Sequence, residues 1–229
     1  MGAALLPKLP PSFPEQVRPL SAVTQISCFS STICIGIPQL DAALGGIPRG
    51  ALTEICGPPS SGRSTLLDSV LAKASAEGEF CALVDACDAF DPDSAAAAGV
   101  VLDQLLWVRC GRNVEHALKA ADLVLHAGGF GVVALDLCEV APRDVRRIPL
   151  SCWYRFRRVV EGTSTAFLVL EQETYARQCA SLSLEMSRGK EIWSGTPACS
   201  QLLRGFEVRW APRKPTRSVT GYFDARLVG

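Results

Sequence analysis

The chain has 229 residues, 48% of them hydrophobic, which is enough apolar content for the core of one α/β domain. Its formal net charge is zero, its mean hydropathy is +0.20, and it has no uninterrupted apolar run of about 18 residues, so a membrane span is not expected. The balanced charge conceals an asymmetry. Residues 1–136 hold 8 Lys+Arg against 14 Asp+Glu, and residues 137–229 hold 15 against 9. A basic second half suits an anionic partner, or else the two halves simply attract each other.

The N-terminal apolar run is short and broken by Pro7, too weak for a signal peptide. Ten cysteines are scattered with no C-x-x-C pair, so reduced cytoplasmic thiols are expected rather than disulfides. Cys56, Cys81 and Cys138 lie in or beside apolar runs, where cysteine acts as a small hydrophobe. With only His116 and His126, a tightly bound metal is not expected.

In chain order, residues 1–30 read as a proline-rich arm, with prolines at 7, 10, 11, 14 and 19, and residues 31–229 as the core domain. A short helix is expected over 37–44, stopped by Gly45-Gly46. A strand over 51–56 enters a glycine-bounded loop, and a helix from Thr65 to about Ala76 leaves it. Buried strands follow at 80–85 and 131–136, each closed by an aspartate, and at 166–171. Between them come a helix over 93–98, a short strand over 105–109, and a helix capped by Asn113 that runs to about Ala127. Residues 173–200 read as an irregular, serine-rich loop region, and 206–210 and 221–226 as antiparallel edge strands. Strands separated by helices imply a mostly parallel sheet with helical crossovers.

The loop is Gly57-Pro58-Pro59-Ser60-Ser61-Gly62-Arg63-Ser64-Thr65. It meets the phosphate-loop pattern G-x-x-x-x-G-K-[ST] except that Arg63 replaces the lysine. The glycines let successive N–H groups turn inward at phosphate oxygens, and the helix that follows adds its positive end. Ser64 would place a hydroxyl on Mg²⁺. Arginine, a longer planar fork, is not the equivalent of a compact lysine ammonium. Asp136, at the tip of a buried strand, fits the acid that reaches Mg²⁺, or it ends the strand simply because the chain meets water there.

The segment from Gly45 to Thr65 resembles the lead into the phosphate loop of RecA recombinases. Val84-Asp85-Ala86-Cys87-Asp88-Ala89-Phe90-Asp91-Pro92 resembles that family's acidic segment after the second strand, and Leu170-Glu171-Gln172 its nucleotide-sensing strand end. The likeness covers about residues 33–175. It implies an α/β fold with a RecA-like P-loop core, a mostly parallel sheet with helices on both faces and antiparallel edge strands at the C-terminal end. It also implies an ATP/Mg site using Gly57, Ser60, Ser61, Gly62, Arg63, Ser64, Thr65, Asp91 and Asp136, with Ser64 and Asp136 at the metal.

The departures weaken that site. Cys87 stands where the family carries the glutamate that activates the attacking water, and a thiol is a poor base near neutral pH. Asp88 could compensate only through a register shift, which would turn it to the other face. Ser94 replaces the tyrosine beside the adenine, and Gln172 is kept. Weak nucleotide binding without efficient hydrolysis is the expectation, with no catalytic residue assigned with assurance.

Six arginines lie between 143 and 158, interleaved with Trp153, Tyr154 and Phe156. They read as an amphipathic crossover helix or as a DNA surface formed by Arg146, Arg147, Arg155, Arg157 and Arg158. Arg209, Arg213, Lys214 and Arg217 form a second cluster, either a solvated loop or part of the same surface. A shortened RecA-like chain with a changed active site most resembles the ImuA group of RecA-related accessory proteins. That likeness implies a cytoplasmic DNA-damage-response factor in SOS mutagenesis. Its partners would be a translesion polymerase-like protein, RecA, or single-stranded DNA. The alternatives are an active DNA-dependent ATPase or recombinase and a cell-division inhibitor.

Overall fold

Residues 31–195, 200–215 and 219–226 are described by a computed structural model; the N-terminal arm expected over 1–30 lies outside them. The chain opens with a two-stranded antiparallel pair, β1 (Thr32–Ile33) with β2 (Ile47–Pro48), flanking α1 (Pro38–Leu44). Pro38 starts α1 at a position where its missing N–H costs nothing, and Gly45 ends it in the left-handed conformation at φ 77°. Then come β3 (Ala51–Cys56), α2 (Arg63–Ala76), β4 (Cys81–Asp85), α3 (Pro92–Ala97), β5 (Leu105–Arg109), α4 (Val114–Ala127) and β6 (Val132–Asp136). The chain continues through α5 (Pro142–Val145), α6 (Leu150–Val160), β7 (Ala166–Glu171), β8 (Leu182–Ser194), β9 (Leu202–Lys214) and β10 (Gly221–Arg226).

Eight strands form one sheet in the order β10-β9-β8-β3-β7-β6-β4-β5. All pairings from β8 through β3 to β5 are parallel, whereas β8–β9 and β9–β10 are antiparallel. Alternate strand residues divide the core. Ile55, Leu83, Ala134 and Leu168 pack with Leu66, Val70 and Leu71 of α2. Leu52, Val84, Val133 and Phe167 pack with Ala117 and Ala121 of α4 and with Trp153 and Phe156 of α6. Both faces are therefore covered, as buried parallel strands require. The expected fold class holds.

Two expectations are corrected. The irregular region 173–200 contains β8, a 13-residue strand. Its inward residues Leu182, Leu184 and Met186 are buried at the sheet, and it pairs with β3 only over Leu182–Glu185 before running on beside β9, whose other edge carries β10. The Arg209, Arg213 and Lys214 cluster lies within β9 rather than in a loop, and Arg217 lies outside the described residues. The strand tolerates Pro212 because the pairing shifts between Ser183 and Leu184, opposite it. All eight cysteines among the described residues are free, and no helix among those residues is long and apolar enough to cross a membrane.

Candidate nucleotide site

The phosphate loop is held by close backbone approach. A Cβ on Gly57 would lie 2.2 Å from the Met186 carbonyl oxygen of β8 and 2.7 Å from Ser61 Oγ. Gly62 takes φ 88°, and a Cβ there would meet Val208 Cγ2 of β9 at 2.6 Å. Both glycines are therefore required by this loop. The N–H of Gly57 donates to the Glu171 carbonyl at 3.3 Å, tying the loop to the tip of β7. The start of α2 at Arg63 then presents unpaired N–H groups and a positive helix end.

Ser60, Ser61, Gly62, Arg63, Ser64 and Thr65 line a small open cavity of about 180 Å³, together with Cys138, Glu139 and Phe206. Ser61 Oγ is buried there without a hydrogen-bond partner, a polar group awaiting an acceptor or donor. Arg63 is only 5% exposed, and its Nη1 donates to the Glu171 carbonyl at 2.7 Å. The guanidinium thus lines the cradle while one arm is fixed to β7. Orphaned hydroxyl, turned backbone and buried cation together fit a phosphate group. Ser64 and Asp136 are the residues that would hold Mg²⁺ with it; no cluster of three His, Cys, Asp or Glu side chains suited to a metal occurs among the described residues. Burial holds the Asp136 carboxyl above its ordinary range against the bond it accepts from the Cys138 N–H at 2.8 Å, Asp85 adding to the rise.

Thr65 also lines a second cavity of about 740 Å³. Its walls come from α1, α2, Ser94 of α3, and Tyr222, Phe223 and Asp224 of β10. Asp68 faces it, one helical turn beyond the loop, with its carboxyl pushed up to about 6 by burial and by the charges of Asp136 and Asp91. Sequence reasoning missed both Asp68 and Tyr222. An acid at the fourth position past Ser64 is a plain helix residue until the facing strand is known, and β10 lies more than 150 residues away in the sequence.

The expected adenine-side acid, Asp91, caps α3, accepting from the Asp93 N–H at 3.2 Å and the Ser94 hydroxyl at 2.5 Å. Cys87 lies just past the tip of β4, where Asp85 and Asp136 are register partners. Burial and then the charge of Asp136 push its thiol up, so it stays protonated. Asp88 cannot take its place. Its carboxylate accepts from Arg109 Nη2 at 3.3 Å and the Gly111 N–H at 3.4 Å, at the C-terminal end of β5. Asp85, 1% exposed, is committed to the Cys87 and Phe90 N–H groups and to Trp107 Nε1. Gln172 does lie at the site, its Nε2 donating to the Cys138 carbonyl at 2.8 Å.

Behind the loop, Glu171 is fully buried, and neither carboxyl oxygen meets a hydrogen-bond partner among the described residues. Burial and the neighbouring Glu54 carboxylate raise it well above the ordinary range. Glu54 itself accepts from the Tyr175 and Ala176 N–H groups and from Ser183 Oγ. Glu171 is therefore the protonated partner of the pair, at the residue whose carbonyl holds both Gly57 and Arg63.

The arginine-rich stretch is an amphipathic helix, α6, with Trp153 and Phe156 buried and Arg155, Arg157 and Arg158 exposed. Much of its charge is matched: Arg146 by Glu173, Arg147 by Asp144, Arg155 by Asp122. Arg213 forks onto Glu185, and Lys214 Nζ donates to the Gln178 carbonyl. The basic residues thus lie on different elements, although Arg157 and Lys214 both act on the Cys179 thiol. One cluster lies on α6 beside β3, the other along β9.

A phosphate loop between β3 and α2, in the middle of a mostly parallel sheet whose strands β4 and β6 end in Asp85 and Asp136, defines a P-loop nucleotide-binding α/β protein. The RecA N-terminal domain matches residues 19–145, and the chain belongs to that family. Among curated relatives, it is 43% identical to Protein RecA of Deinococcus radiodurans over 114 residues, 48% of this chain and 31% of the relative. Protein RecA of Rhodospirillum rubrum is 46% identical over 107 residues, 46% of this chain and 29% of the relative. Protein RecA of Laribacter hongkongensis is 42% identical over 115 residues, 49% and 32% respectively. The matches cover about a third of the length of these relatives.

Proposed function

We propose that this protein is a RecA-related accessory factor of DNA repair that binds nucleotide without turning it over efficiently. In this reading it acts through DNA or a repair partner, in the manner of the ImuA group in SOS mutagenesis and translesion synthesis. The observation that carries the reading is the tip of β4. The position for an activating base holds a protonated Cys87, and the nearest acid, Asp88, is bound to Arg109 and Gly111. A general base contributes roughly 10²–10⁴-fold to rate. Its loss leaves the cradle intact and removes the driving group.

Bound ATP with Mg²⁺ would supply a phosphoryl group open to attack by water. The residues of this chain grip and orient it: Gly57 to Thr65 surround the phosphates, Arg63 offers fixed positive charge, and Gln172 links the tips of β6 and β7. The exposed Arg157 and Arg158 of α6 offer cations to phosphate backbone or to an acidic protein face. The candidate partners are RecA, a translesion polymerase-like protein, and single-stranded DNA.

The test is steady-state ATP turnover by the purified protein, with and without single-stranded DNA, beside equilibrium nucleotide binding. Binding with negligible turnover in both conditions is expected. DNA-stimulated turnover at the level of an active recombinase would overturn the proposal in favour of a working ATPase.

A further inference from the structure

We propose that Glu171 is a positioning residue of the phosphate cradle: nucleotide binds with a proton held on its carboxyl, and binding draws that proton from solution. The inference rests on the nucleotide-binding reading above and adds how the site responds to pH.

Glu54 and Glu171 come together because β3 and β7 run parallel, with Glu54 beside Val169 and Cys56 beside Glu171. Residues two apart on a strand share a face, so both carboxyls lie on the side of the sheet that α6 covers. Asp136 pairs with Leu170 and therefore points to the opposite side. The two glutamates have different settings. Glu54 accepts from the Tyr175 N–H at 2.7 Å, the Ala176 N–H at 2.8 Å and Ser183 Oγ at 2.9 Å, a donor set that suits the ionised form. Glu171 is just as buried, and neither of its oxygens meets a partner among the described residues. Two bare carboxylates cannot share that space, so Glu171 holds the proton.

The other groups on this face leave it so. Arg63 of α2 gives its Nη1 to the Glu171 backbone carbonyl, not to the carboxyl. Glu185 and Arg213, forked together, act on Cys56, while Arg157 and Lys214 act on Cys179. Burial above all keeps Cys56, Tyr175 and Cys179 protonated.

The same residue anchors the cradle. Its carbonyl accepts from the Gly57 N–H at 3.3 Å and from Arg63 Nη1 at 2.7 Å, and Arg63 lines the cavity beside the unpartnered Ser61 hydroxyl. Loss of the proton sets two buried anions against each other at the tips of β3 and β7, the strands that this carbonyl ties to the loop. It also adds negative charge behind a site meant for an anion. By linkage, whatever bound phosphate gains from a protonated Glu171, the proton gains from bound phosphate. Affinity is therefore full at low pH and falls as pH rises through the raised value of Glu171.

The experiment is calorimetric titration of the full chain with ADP and Mg²⁺ from pH 6 to pH 9, each point in two buffers of different ionisation enthalpy. Wild-type affinity should fall about fivefold or more over that range, with an uptake approaching about one proton per ADP where the fall is steepest. Glu171→Gln has nearly the same shape and cannot ionise. It should lose the uptake and show no fall beyond the titration of ADP itself, which cancels in the ratio of the two proteins. Infrared difference spectra of the wild type, which need no variant, should gain a carboxylic-acid carbonyl band when ADP is added at pH 8. An affinity ratio constant with pH, an uptake that persists in Glu171→Gln, or no gained band overturns the inference and leaves the nucleotide site standing. Absence of ADP binding at every pH overturns it together with the reading on which it rests.

Discussion

The tip of β3 and the tip of β4 lie in one sheet with β7 and β6 between them, yet they have been treated differently. At β3 the backbone device is intact: two glycines, a buried arginine, an unpaired Ser61 hydroxyl and a helix start. At β4 every acid is already committed to the protein and the decisive position is a thiol. Holding a phosphate depends mainly on backbone shape, which glycine spacing preserves. Cleaving it depends on a few side-chain atoms, which single substitutions remove. Grip and chemistry can therefore part within one site.

The comparison breaks most completely at Gly57. Gly57→Ala forces a Cβ to within 2.2 Å of the Met186 carbonyl. It should abolish nucleotide binding and cost about 3 kcal/mol of stability, read by titration and chemical denaturation. The converse change sharpens the contrast at β4. Cys87→Glu combined with Arg63→Lys should raise ATP turnover by about 10²-fold, measured as phosphate release; an unchanged rate would show that more than the base and the lysine is missing.

A third change acts behind the loop. Burial and the neighbouring Glu54 raise the Glu171 carboxyl well above the ordinary 4.5 in the folded state, so the folded state holds its proton more tightly than the unfolded chain. Its contribution is fully present below pH 4.5 and is lost as pH rises through the raised value, at about 1.4 kcal/mol per pH unit inside that window. Glu171→Gln, which cannot ionise, should stabilise the protein by about 2 kcal/mol at pH 8 and by far less at pH 4.5, seen in thermal melts across pH. Smallest, and remote from both strand tips, Asn113→Ala removes the acceptor for the His116 N–H at the start of α4. It should lower stability by about 1 kcal/mol while leaving nucleotide affinity unchanged.

Much of this molecule was legible in its sequence because local signals agreed with the fold. Gly57, Gly62 and Ser64 fixed the loop by spacing, Asn113 marked its helix, and the apolar runs closed by Asp85 and Asp136 marked buried strands. β8 was hidden because only Leu182, Leu184 and Met186 follow an inward alternation. Beyond them the strand parts from β3, exposes both faces, and shifts register against β9 between Arg188 and Glu191. Charge in that stretch reports solvent, not loop. Arg63 could be recognised as a substitution, but that its guanidinium would turn to the Glu171 carbonyl was a matter of tertiary contact. The same holds for the Glu54–Glu171 pair, whose members are 117 residues apart in the chain and become register neighbours, Glu54 with Val169 and Cys56 with Glu171, only when β3 meets β7.

The ribbon of β8 and β9 leans on both glycines of the phosphate loop, through the Met186 carbonyl and the Val208 side chain. Its far end stands clear of the sheet, with Trp193 and Leu202 open to solvent. Anything that bound that tip would sit on the same two strands that shape the grip beneath.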